Sequence, residues 1–248
     1  MNNFILGFFY PLKCIRLFFG HPKLILYSLV PMIINLIIYG TIFFYVYDWL
    51  TWKAADLLGP LDSGGILFEF IRSFIKVFTF LLVLLVCYFA FVIFGGIISA
   101  PFNEKISKYI EEKVYNIRVE NNLSWLKDAF MSIMEELKKI LFYFSIMIPL
   151  LLIDFIPMIG SVITLVFGSL FSFFYNAFDY MDYPLTRRLA AFRNKLRIVG
   201  SKKGLSFGFG CVAFLLTFIP VINVLLNPLL VVSGTSLFYT NGYDKEIV

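Results

Sequence analysis

Charge is what this chain has least of. Only 15% of its 248 residues are charged, against 60% that are hydrophobic, whereas a soluble domain carries about 25% charged and about 45–50% apolar residues. That leaves too little polar surface to coat a globule of this size, so water is not its main solvent. Disorder is excluded by the same figures, because disordered chains combine low hydrophobicity with high charge. Histidine is scarcer still: His21 is the only one, which rules out a His₃ or His₂Cys₂ metal centre built from one copy. Cys14, Cys87 and Cys211 stand alone in separate apolar stretches and read as small buried hydrophobes rather than a disulfide framework or redox motif. No metal or cofactor is expected. With no Ser-His-acid arrangement on offer the chain presents no coherent catalytic set, and it is not read as an enzyme.

What is there is apolar sequence, unevenly divided. Residues 1–20 place Phe4, Phe8, Leu12, Ile15 and Phe19 at helical spacing, with Lys13 and Arg16 on another side, which suits a helix lying in the membrane interface, bent at Pro11. No positive charge precedes this run and no small-residue cleavage site follows, so it does not read as a secretory signal. Residues 24–47 and 77–98 carry no charge. At about 1.5 Å per residue they make helices of about 36 and 33 Å, enough for the hydrocarbon core of about 30 Å. Pro22 fits the first turn of the earlier one, and Pro31 kinks it.

The remaining apolar regions are interrupted. Ile140 to Ile153 stops at Asp154 and Pro157, and Leu205 to Ile219 stops at Pro220; each first arm is about 21–22 Å long, too short to cross untilted. The breaks repeat a pattern, Phe155-Ile156-Pro157-Met158-Ile159 and Phe218-Ile219-Pro220-Val221-Ile222. Paired, proline-broken apolar segments in two halves of a chain point to a transport site, with ordinary helical hairpins as the plainer reading. The expected architecture is therefore an all-α integral membrane protein in one membrane domain, 1–248. It has two long transmembrane helices, cytoplasmic amphipathic helices at 103–139, a re-entrant hairpin at 140–178, a basic cytoplasmic segment at 179–204 and a second hairpin at 205–239. Within 103–139 a turn is expected at Asn121-Asn122, with Ser124 as N-cap.

Charge sets the expected orientation. The segments 103–139 and 179–204 each hold seven Lys or Arg residues, against three in 48–76, so the positive-inside rule puts both termini in the cytoplasm. The run Arg187, Arg188, Arg193, Lys195, Arg197, Lys202 and Lys203 is bracketed by apolar sequence, which favours lipid headgroups or an anion vestibule over nucleic acid. Asp154 is the one acid inside the long apolar region, a functional hypothesis by default that also suits a turn cap. Gly204 and Gly208 have a spacing that lets helices approach closely. The stretch Gly208-Phe209-Gly210-Cys211-Val212-Ala213 matches a loose dinucleotide pattern in spacing alone; it follows no strand and is not read as a cofactor site.

Several phrases occur together in order: Gly7-Phe8 with Tyr10; Leu29-Val30-Pro31 with Ile34-Asn35; Ser99-Ala100-Pro101-Phe102-Asn103; Asp182-Tyr183-Pro184-Leu185 with Arg187, Arg188 and Phe192-Arg193; and Phe218-Ile219-Pro220 with Asn227-Pro228. On these the chain resembles, over nearly its whole length, the CysZ-like family of bacterial sulfate transporters, whose domain is shared with eukaryotic etoposide-induced proteins. The resemblance implies an inner-membrane helical protein with two transmembrane helices and two part-way hairpins, forming homo-oligomers that take up sulfate for cysteine synthesis. It also implies a Gly-Leu-Arg-Arg stretch at a helix start where sulfate binds. Here the aligned residues are Lys23-Leu24-Ile25-Leu26, so both arginines are missing.

The expected function is a transporter or channel-like permease for a small inorganic anion, with sulfate as the candidate. The alternative is a non-transporting membrane protein that organises lipids or partner proteins. Backbone N–H groups at Lys23, Leu24 and Ile25, with Arg16 upstream, are the expected substrate contacts. Arg187, Arg188 and Arg193 form the expected vestibule beside Asn103, with Asp182 or Glu104 pairing the arginines when no ion is bound. The expected partners are the phospholipid bilayer, the anion and further copies of the chain.

Overall fold

A computed structural model describes residues 3–58, 66–117, 125–188, 191–217 and 220–247, which are helical almost throughout, with no strand among them. In order the helices are α1 (Asn3–Phe8), α2 (Tyr10–Phe19), α3 (Pro22–Leu58), α4 (Ile66–Lys113), α5 (Trp125–Ile153), α6 (Gly160–Thr186), α7 (Phe192–Ser201), α8 (Lys203–Thr217) and α9 (Pro220–Thr240). They form two compact units, Pro31–Ser99 and the combination of Met1–Val30 with Ala100–Val248. The expected turn at Asn121-Asn122, the Ser124 cap and the Phe218-Ile219 pair lie outside the described residues.

The unit Pro31–Ser99 consists of an antiparallel arrangement of α3 and α4. Asn35 donates to the Ser99 hydroxyl at 3.3 Å and the Tyr39 hydroxyl to the Ala90 carbonyl at 3.3 Å, while Phe43 meets Phe80 edge-on at 5.3 Å. The contacts advance along one chain as they retreat along the other. Around this seam most large side chains point outward, among them Leu36, Phe44, Tyr45, Phe74 and Phe78. Exposing such a side chain to water instead of burying it costs about 1.5–3 kcal/mol. Summed over two helices this decides the solvent, which is lipid.

In the other unit the core is built on α6, α8 and α9, with α1 and α2 applied to its outside. Close approach here depends on glycine. A Cβ at Gly208 would lie 2.0 Å from the Phe4 carbonyl oxygen of α1, and one at Gly210 would lie 1.7 Å from the Phe173 oxygen of α6. Two residues apart on a helix is about 200° of rotation, so these glycines serve opposite faces of α8. The stretch that matched a dinucleotide spacing is thus a helix-packing surface. Proline contributes as well: Pro184 lacks the N–H that would bond the Tyr180 carbonyl, and that oxygen sits 2.5 Å from where a Gly234 Cβ would be.

Several expectations need correction. The single N-terminal helix is two helices separated at Phe9, with Pro11 in the first turn of α2. Gly7, Tyr10, Cys14 and Phe18 are the buried residues of this pair, while Phe4, Leu12, Ile15, Phe19, Lys13 and Arg16 are exposed. The break after Ile153 falls where Pro157 suggested, but the turn is closed by backbone bonds such as Ile156 N–H to the Ile153 carbonyl at 2.9 Å, and Asp154 is exposed there. Beyond it α6, like α3 and α4, is long and apolar enough to cross a membrane. α7 and α8 meet at a bend of 101°, so the basic segment turns sharply away from the apolar helix that follows it.

Candidate functional site

The polar interior lies where α4, α5, α6, α7 and α9 converge. The buried run Tyr180 to Leu185 near the end of α6 brings the two most specific sequence phrases together, since Asn103 donates to the Tyr183 hydroxyl at 3.1 Å. Just beyond, Arg187 reaches back to α4. Its guanidinium bonds Glu104, Ser107 at 2.8 Å and Glu111 at 2.7 Å. Glu104, Ser107 and Glu111 recur every three or four residues and so share one helix face. Glu111 also accepts from the Tyr239 hydroxyl, and Ser107 from Thr235 at 2.9 Å, which ties in α9.

A second network surrounds two buried lysines. Lys139 of α5 pairs with Glu136 at 2.7 Å and with Asp179 of α6. Lys195 of α7 pairs with Glu135 at 2.8 Å and Asp182 at 3.1 Å, and donates to Thr186 at 2.7 Å. Four carboxylates face two buried ammonium groups. Burial pushes Glu136 up to about 7 against the pull of Lys139, with Asp179 adding repulsion. Burial opposes the charge on Lys139 too, but Asp179 and Glu136 outweigh it and hold the ammonium well above the usual lysine range. Glu135 goes the other way: burial would raise it, and hydrogen bonds from Lys138 and Lys195 bring it below the usual value.

Both networks border a cavity of about 800 Å³, whose wall includes Tyr27, Tyr109, Lys105, Lys108, Arg187 and Arg188. Seven carboxylates and five cations line it. The wall is therefore formally acidic, and the buried cations Arg187, Lys139 and Lys195 of the two networks offset only part of that charge.

The expected site residues are only partly united. Glu104 meets Arg187, but Asp182 is held by Lys195 and Thr186 and not by an arginine. Arg188 is exposed, its guanidinium 5.1 Å from the centre of the Tyr239 ring, and Arg193 is exposed on α7. At the start of α3, Lys23 is exposed and Leu24 is completely buried, with its N–H donating to the His21 carbonyl at 2.9 Å. That N–H is therefore committed, contrary to the expectation that it would receive an anion. Arg16 is exposed in the last turn of α2 and Ile25 packs partly against the core. The basic run is not uniformly outward either: Arg187 and Lys195 turn inward, and Lys202 binds the Asn241 and Gly242 carbonyls at the end of α9. Sequence reasoning missed Ser107, Glu111, Glu135, Glu136, Lys139 and Tyr239. Glu111 and Tyr239 lie 128 residues apart, and no local spacing connects them.

The family model "Sulfate transporter CysZ/Etoposide-induced protein 2.4" matches residues 10–228. The chain belongs to this CysZ/etoposide-induced family. Among the CysZ relatives it is similar to is "Sulfate transporter CysZ" of Pseudomonas aeruginosa (strain LESB58), 29% identical over 231 residues, 92% of each chain. Another is the protein of that name from Pseudomonas syringae pv. tomato, 28% identical over 218 residues, 86% of this chain and 84% of the relative. A third, from Vibrio atlanticus, is 26% identical over 228 residues, covering 91% and 89%. CysZ is a transporter family and not an enzyme family. With three helices able to span a bilayer among the described residues, this member is a multi-pass membrane protein.

Proposed function

We propose that this protein moves a small inorganic anion, sulfate being the candidate, across the bacterial inner membrane, with both termini in the cytoplasm and as a homo-oligomer. The near-full-length match to CysZ over residues 10–228 carries this reading. At the start of α3 the N–H groups of Lys23 and Ile25 and the Lys23 ammonium are the proposed first contacts, with Arg16 adding positive field. A helix start favours an anion through its unpaired N–H groups and its dipole. Lysine supplies charge there without the bidentate fork that arginine offers to oxyanions, so binding should be weaker and less geometrically selective than at an arginine pair.

Arg188 and Arg193, both exposed, are the proposed cytoplasmic attractors. Arg187 acts differently, by offsetting part of the charge of Glu104 and Glu111 and so weakening the negative field that an anion meets at the cavity wall. Uptake of radiolabelled sulfate into proteoliposomes above empty vesicles is the direct test. Absence of uptake together with altered envelope integrity in a deletion strain that grows normally on limiting sulfate would replace transport with a lipid- or partner-organising role.

A further inference from the structure

The helices α1, α2, α7 and α8 carry positive charge and no acid: residues 1–47 and 183–243 contain no Asp or Glu. Within α7 and α8, Lys195 and Lys202 turn inward, to the network of α5 and α6 and to the end of α9. Arg193, Arg197 and Lys203 are exposed, and among the described residues none of them is paired with a carboxylate. Arg193 and Arg197 are four residues apart and share a helix face. Lys195, Ile198 and Val199 are buried on the other side of α7, which fixes its rotation and turns both arginines outward.

The bend between α7 and α8 sets the level of these cations. From Gly204 to Thr217 α8 has no charge, and about 21 Å of uncharged helix belongs in hydrocarbon. Lys203, the first residue of α8 and its one charge, therefore stands where the hydrocarbon ends, with its ammonium among the headgroups. α7 departs at 101°. With α8 directed into the bilayer, α7 runs along the membrane surface at that level and brings Arg197 to it. Apolar side chains adjoin the same spot: the backbone nitrogen of Phe4 lies 3.6 Å from where a Gly204 Cβ would be, and Phe4 and Ile5 are exposed. Cations beside exposed apolar side chains suit a phosphate that carries acyl chains, whereas a free oxyanion gains nothing from the apolar part.

We propose that Arg197 and Lys203 form a binding site for the phosphate of an anionic phospholipid, with α7 as a fixed shelf in the headgroup layer. The arginine offers its planar fork to two phosphate oxygens and the lysine adds a point charge. Lys195 ties this same helix to Asp182 of α6 and Glu135 of α5, so the lipid seats on an element that is part of the polar interior. The site is separate from the anion contacts at Lys23, and its test does not depend on sulfate being carried.

Thermal unfolding of the purified full-length protein in detergent, titrated with phosphatidylglycerol or with phosphatidylcholine of the same acyl chains, tests this. A ligand that binds the folded state raises the unfolding temperature, so phosphatidylglycerol should raise it saturably and phosphatidylcholine should not. In Arg197→Gln/Lys203→Gln the phosphatidylglycerol midpoint should rise about thirtyfold, from two surface cations at about fivefold each, while the unfolding temperature without lipid stays at that of the parent. Arg197→Lys/Lys203→Arg should keep most of the response. Lys113→Gln, an exposed change in the last turn of α4, should keep all of it. Arg193, already given to the incoming anion, is left unaltered. An unchanged midpoint in the glutamine double variant, or equal shifts from the two lipids, would overturn the site. The same shift from inorganic phosphate at equal concentration would make the ligand a free oxyanion and overturn the lipid.

Discussion

The guanidinium of Arg187 lies 2.7 Å from the carboxylate of Glu111, joining the end of α6 to the inner face of α4 where Glu111 is almost completely buried. The same arginine holds Glu104 and Ser107, so one side chain compensates two carboxylates. Removing it strands both.

Arg187→Met should therefore destabilise the fold by about 3–5 kcal/mol, the usual penalty for leaving buried charge unpaired. Adding Glu104→Leu and Glu111→Leu to that variant should recover most of the loss, because apolar replacements of similar volume carry no desolvation penalty. Thermal unfolding in detergent checks both. A triple variant no more stable than the single one would contradict the clamp.

Glu136 makes stability depend on pH near neutrality. Its folded value of about 7 lies above the ordinary 4.5, so between these values the folded state binds more protons than the unfolded state. Stability from this group is then complete below about 4.5 and falls as pH rises through about 7. Glu136→Gln should flatten that slope and raise the unfolding temperature at pH 8 relative to the parent. Unfolding scans from pH 5 to 8 read it; parallel pH profiles for the two proteins would dismiss the idea.

Gly210→Ala places a methyl where the Phe173 carbonyl stands, and should cost at least about 1–3 kcal/mol through overpacking, seen as lower yield of monodisperse protein. Gly40→Ala is the matched control, since nothing lies within 4 Å of a Cβ there. It should be neutral or stabilise by up to about 1 kcal/mol through helix propensity.

At the turn between α5 and α6, Phe155 and Met158 are 84% and 94% exposed, an apolar tip that suits lipid better than water. Phe155→Trp, with Trp49, Trp52 and Trp125 changed to Phe, should be quenched by lipids brominated on their acyl chains and shielded from acrylamide. The opposite pattern would put the tip in water.

How far the sequence spoke depends on the kind of interaction. The uncharged runs within α3 and α4 are statements about solvent, which composition reports directly, and Pro157 marks the turn it sits in. Within the amphipathic stretch 103–139, Ile106 and Ile110 are buried as helical periodicity suggests. The charged Glu111 beside Ile110 is buried as well, because its partners Arg187 and Tyr239 come from α6 and α9. Lys195 looked like one more cation of a basic run for the same reason. Pairing across helices leaves no periodic trace in a single sequence, whereas Gly204 and Gly208 had a spacing that could be read and a partner, α1, that could not.

The two-sided use of glycine on α8 has a mechanical meaning. Side chains between helices act as compliant spacers, able to change rotamer while the axes shift, but α1 and α6 touch α8 backbone to backbone. Sliding at either contact has no soft element to absorb it. Between α1 and α6, whose last turns carry Asp182, α8 therefore offers no side-chain cushion at these two contacts.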